Sequence, residues 1–129
     1  MFLPMKSDTG AVLPWEYMPA AAGTYKAGQL LNVSGGQVVA VSAASTTTPP
    51  YLCMADKEIA EGELLPVTRV SKDFIYETQL SAEAASATIG TKLQVTAGGL
   101  LADAAATGTF ELVSLEGTAQ GDFVRGRWA

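Results

Sequence analysis

No stretch of twelve or more residues in this chain keeps an apolar stripe at three- and four-residue spacing without a Gly, a Pro or a β-branched residue breaking it. An amphipathic helix needs that stripe to bury one face, so the regular structure left to the chain is β. Eight short runs rich in β-branched and aromatic residues read as strands: QLLNV from Gln29, QVVAV from Gln37, YLCMA from Tyr51, LLPVTRV from Leu64, FIYETQL from Phe74, TKLQV from Thr91, TFELVSL from Thr109 and DFVRGRW from Asp122. Gly, Pro, Ser and Thr clusters separate them. The expected fold is therefore all-β, a small single-domain barrel or sandwich of about eight short strands.

Two of these runs indicate which face is inside. In FIYETQL, Phe74, Tyr76, Thr78 and Leu80 share one side, while Ile75, Glu77 and Gln79 share the other. In DFVRGRW, Val124, Gly126 and Trp128 alternate with Phe123, Arg125 and Arg127, so neither face is purely polar. Such a strand is either a core strand with solvated arginines or one covered on both sides by a neighbouring subunit.

A phrase occurs twice. Gly28 opens GQLLNVSGG and Gly90 opens GTKLQVTAGG, each a turn followed by a strand and a Gly pair, Gly35-Gly36 or Gly98-Gly99. Adjacent glycines supply the positive backbone angles a tight hairpin requires, so two similar hairpins are expected. Neither pair has phosphate-loop spacing. Between the hairpins, SAASTTTPPY reads as an extended surface loop, and LSAEAASA can form at most one short helical turn capped by Ser81. Residues 1–20 contain Pro4, Pro14 and Pro19, which restrict pairing to edges, so they read as an extended N-terminal arm before a single β domain at 21–129. The arm carries Phe2, Leu3, Trp15 and Tyr17, side chains costly to leave in water.

The chain of 129 residues is 48% hydrophobic and 16% charged, which places it among folded proteins with an unusually apolar surface. A formal charge of -5 argues against nucleic acid and against an anionic membrane surface, and no apolar run has the length to span a bilayer as a helix. The opening MFLPMKSDTG lacks the charged-then-apolar order of a secretory signal, so a protein made and used without export is expected. Cys53 is the only cysteine and reads as a small buried hydrophobe.

Catalytic chemistry has little to stand on. The chain has no His, which removes the usual general base near neutral pH, the commonest zinc ligand and every Ser-His or Cys-His arrangement. Glu58, Glu61 and Glu63 surround Gly62 and read as a solvated hairpin tip, and with Asp56 they miss the spacing of a calcium loop. No enzyme, metal or cofactor is expected.

Several phrases together, PAAAGTYKAGQLLNVSGGQVV, TTTPPYLCM, AEGELLPVTRV, IGTKLQVTAGG and GTFELVSLEGTAQGDFVRGRW, resemble small bacteriophage head fibre or capsid decoration proteins from about Tyr17 to Trp128. The resemblance implies a compact β domain that forms a homotrimer on the outer capsid surface at threefold positions, made in the host cytoplasm, with the major capsid protein as its other partner. Members can carry a fibrous extension, and the sequence here ends at Ala129 directly after the last expected strand, so the expectation is a base or decoration module. Candidate partner-interface residues are Phe2, Leu3 and Trp15 of the arm, and Arg125, Arg127 and Trp128 at the chain end, Arg and aromatics being enriched at interfaces. For both groups packing within the chain is the competing reading. A carbohydrate-binding or adhesin-like recognition module is the alternative function.

Overall fold

A computed structural model describes residues 1–7, 10 and 14–129, and every regular element among them is a strand. In chain order these are β1 (Leu3–Ser7), β2 (Glu16–Pro19), β3 (Gly23–Tyr25), β4 (Leu30–Ser34), β5 (Gln37–Ala40), β6 (Tyr51–Cys53), β7 (Lys57–Ile59), β8 (Leu64–Arg69), β9 (Phe74–Gln79), β10 (Lys92–Val95), β11 (Ala102–Asp103), β12 (Phe110–Leu115) and β13 (Phe123–Trp128). All eight expected strands are present. The other five are two to five residues long, too short or too Pro-rich to show an alternating pattern.

Eleven of the strands fall into two sheets with one plan, and β3 pairs with β7 in a small antiparallel sheet of its own. One sheet runs β2-β8-β6-β4-β5 and the other β9-β13-β12-β10-β11, with β1 added outside β9. Registers correspond pair by pair. Cys53↔Val67 and Tyr51↔Arg69 in the first sheet match Leu112↔Gly126 and Phe110↔Trp128 in the second. Leu30↔Leu52 matches Lys92↔Glu111, and Val33↔Val38 matches Val95↔Ala102. Each sheet curls until its last strand meets the residue after its first, through parallel bridges Ala20↔Val38 and Leu80↔Ala102. The fold is thus two successive repeats of one five-stranded, partly closed barrel.

Local chemistry explains why the repeats match. Four turns read KAGQ (26–29), AEGE (60–63), TIGT (88–91) and AQGD (119–122), and they lead into β4, β8, β10 and β13. In each the glycine has φ between 80° and 92°, as the third position of a type II turn demands. The fourth residue closes the turn twice, its N–H donating to the first residue's carbonyl and its side-chain oxygen accepting the first residue's N–H at 2.7–3.0 Å. Each turn glycine donates its own N–H to a distant strand, Gly28 to Cys53, Gly62 to Ala20, Gly90 to Leu112 and Gly121 to Leu80. The twin phrases of the sequence are hairpins as expected. Gly35-Gly36 makes a two-residue link between Ser34 and Gln37, and Gly98-Gly99 sits in a wider loop closed by Thr96 and Leu101.

Equivalent positions fill both interiors: Ala20, Leu31, Val38, Tyr51, Cys53 and Leu65 in the first, Leu80, Leu93, Ala102, Phe110, Leu112 and Val124 in the second. Leu30 and Leu52 point out of the first repeat and join the second core, each contributing about 2 kcal/mol by burial. The seam between repeats is also hydrogen-bonded, Leu30 N–H to the Gly99 carbonyl at 2.8 Å and Thr48 Oγ1 to Thr109 Oγ1 at 2.8 Å. The loop expected to lie on the surface follows that seam, with Ser45 bridging Val95 and Pro49 buried.

One expectation is corrected. Residues 1–20 are not a separate arm: β1 and β2 are edge strands of the two sheets, an outcome consistent with their prolines, and residues 8, 9 and 11–13 lie outside the described residues. No helical turn forms after Ser81. Ala84 N–H, the donor a Ser81 cap would take, goes to the Thr118 carbonyl instead, and Ser81 N–H donates to Ala102.

Candidate interaction surface

The six residues singled out as partner contacts separate into two groups. Phe2 and Trp128 are core residues, 0% and 2% exposed, so they do not reach a partner. Phe2 meets Phe110 edge-on at 5.3 Å and Trp128 at 5.7 Å, and Trp128 also packs on Tyr76 at 6.2 Å. Packing within the chain wins for both because their rings join Phe110 and Tyr76 in one buried aromatic cluster of the second core. Leu3, Trp15 and Arg125 are exposed and Arg127 is half-buried. Alternation on β13 puts Arg125 and Arg127 on the outer face, where Arg125 Nε donates to Glu77 Oε2 at 3.0 Å.

Two concentrations of exposed side chains remain. The first is the outer face of the second repeat, where Met5, Ile75, Val113, Ser114 and Arg125 line a depression of about 420 Å³. β-Bulges between Pro4 and Lys6 and between Leu112 and Ser114 flank it and bend the sheet. The second is the β2–β8 edge. Tyr17 pairs with Pro66 and Pro19 with Leu64, which puts Trp15, Tyr17 and Leu64 on one face, 55%, 65% and 52% exposed. Leu64 was not singled out from the sequence, although Leu65 and Val67 face inward in the same strand and alternation alone sends Leu64 out.

The titratable groups are arranged for structure. Burial pushes the Tyr76 hydroxyl up, and that oxygen accepts the Ser71 N–H at 3.0 Å. Burial also raises Tyr25, with the charges of Cys53 and Glu61 adding to it, and Tyr25 donates to the Ala21 carbonyl at 2.7 Å. The Cys53 thiol is raised by burial first and donates to the Ala55 carbonyl at 3.1 Å. Glu61 is held below the usual carboxylate range by the Ala22 N–H at 3.0 Å. The glutamates around Gly62 are exposed, as expected of a hairpin tip, and among the described residues no group of three His, Cys, Asp or Glu side chains converges on a metal position.

The surface therefore offers two apolar-rich contact areas, one concave and one at an open strand edge. Comparison with protein-family models and with curated proteins finds no match for the chain.

Proposed function

We propose that the chain is a structural virion protein, a capsid decoration or head fibre base module that assembles as a homotrimer on the outside of a phage head, in contact with the major capsid protein. One observation carries the reading beyond the sequence resemblance. With both cores filled by the chain's own side chains, Trp15, Tyr17 and Leu64 still stand exposed together at the β2–β8 edge, the clustered apolar surface that marks an interaction site. A trimer bridging neighbouring capsid subunits needs only weak patches, because linked sites gain roughly 100- to 10,000-fold in avidity. Such a role also requires no acid-base chemistry, in keeping with a chain without His.

Light scattering across a dilution series, followed by co-sedimentation with undecorated heads, tests the proposal. The expected mass is three times the 13.4 kDa chain, with the protein pelleting alongside the heads. A monomer that stays in the supernatant refutes it. The recognition-module reading has one observation of its own, Trp15 and Tyr17 exposed two residues apart on one face, an arrangement sugar rings can stack on. Quenching of Trp15 fluorescence by a glycan, abolished in Trp15→Ala, would favour that reading instead.

A further inference from the structure

The two repeats treat one strand edge differently. In the second repeat Leu80 N–H donates to Asp122 O and Leu80 O accepts from Gly121 N–H, so position 80 points its backbone toward β13. Alternation then points Glu77 and Gln79 the other way, and β1 pairs along that side in antiparallel register, Leu3 against Glu77. In the first repeat Ala20 N–H donates to Glu63 O and Ala20 O accepts from Gly62 N–H, the same pair of bonds at the equivalent position. The backbone groups of Trp15, Tyr17 and Pro19 therefore point away from β8. Among the described residues β5 meets that side only at its end, where Val38 bridges Ala20 and accepts the Ala21 N–H, and no strand pairs with it at Trp15–Tyr17.

We propose that the open part of the β2 edge is a docking site for an extended segment of a partner protein, added as an antiparallel strand beside Trp15–Tyr17 as β1 is added beside β9. The molecule already contains the template, since β1 occupies the equivalent edge one repeat later. The partner segment carries apolar residues at alternate positions, because the face it would extend displays Trp15, Tyr17 and Leu64. A second copy pairing β2 to β2 fits less well. Centred on Tyr17, it would set Pro19 against Trp15 of the other copy, and Pro19 has no N–H to satisfy the Trp15 carbonyl at either end. The site goes beyond the head-protein reading: loss of capsid binding leaves it intact, and its own failure leaves that reading without this contact.

Amide hydrogen exchange on the full chain tests it, with a synthetic peptide of the β1 sequence MFLPMKS as the probe strand at on the order of 1 mM. In the free chain the Tyr17 amide is expected to exchange quickly and that of Glu77 slowly. Adding peptide is expected to slow Tyr17 exchange at least about tenfold and shift the resonances of Trp15, Leu64 and Val67. Tyr17→Pro removes the outward N–H without touching a β2–β8 bond and should abolish the peptide effect. A Tyr17 amide already slow in the free monomer overturns the proposal, because the chain then fills the edge itself. A dimer in which Tyr17 is protected overturns it in favour of a second copy, and a saturating peptide that leaves β2 unperturbed overturns it outright.

Discussion

Replacing Phe2 by Ala asks whether the first residues of the chain belong to the core. The Phe2 ring is fully buried between Phe110 and Trp128, and its N–H donates to the Gly28 carbonyl at 2.8 Å. Truncating a buried Phe loses the transfer free energy of the ring and leaves a cavity, together about 3–5 kcal/mol. The walls of this cavity are rings on paired strands, β12 and β13, which cannot close inward without breaking their register, so little of the cost is recovered by collapse. In a chain of this size each kcal/mol moves the melting temperature by about 3–5 °C, giving an expected loss of about 10–20 °C. Urea unfolding at 25 °C followed by circular dichroism gives the free energy directly, with Leu3→Ala as the control one residue away, exposed at the start of β1. The control should cost less than about 1 kcal/mol. If Phe2→Ala also stays within about 0.5 kcal/mol of the parent, residues 1–7 are a free arm and the aromatic cluster described above is wrong.

Other expectations are local. Gly35→Ala meets no neighbouring atom and should cost about 1 kcal/mol from its positive φ alone, whereas Gly99→Ala should cost clearly more because the added Cβ overlaps the Leu30 carbonyl oxygen at the seam; urea midpoints of the two variants check the order. Glu61 has a folded pKa below its unfolded value, so its contribution to stability is complete above the ordinary carboxylate range and is lost as pH falls through the lower folded value; Glu61→Gln should therefore show a shallower acid decline in urea midpoints between about pH 6 and 3. Cys53 should resist a thiol reagent at pH 8 in the native protein and react at once in denaturant, since it is buried with a raised pKa; rapid labelling of the native chain would contradict its place in the core.

Much of the architecture could be read locally. The eight main strands, the two Gly-Gly hairpins and the inward face of β9 were legible because each depends on a few adjacent residues: alternation for a strand, positive φ for a turn. The Trp15 side chain was marked as costly to leave in water, and it stands exposed beside Tyr17 and Leu64. Phe2 and Trp128 were not separable from interface residues, because a repeat-to-repeat seam and a subunit interface draw on the same apolar and aromatic side chains.

The duplication shows where sequence stops and tertiary structure begins. Tyr76 and Trp128, with ring centroids 6.2 Å apart at the buried mouth of the second repeat, occupy the same sheet positions as Glu16 and Arg69, an exposed ion pair at 3.6 Å in the first. Phe110 under Trp128 corresponds to Tyr51 under Arg69 in the same way. The Gly-centred turns, the backbone registers and the apolar interior positions remain alike, because they answer to geometry and burial inside one repeat, while at the mouth each side chain answers to whether its position faces water or the other repeat. The sequence by itself determined a β chain, its turns and its lack of histidine chemistry. Which apolar side chains close the seam between repeats and which are left at the open β2 edge was decided only when the first repeat packed on the second, since burial belongs to the assembled surface and to no single strand.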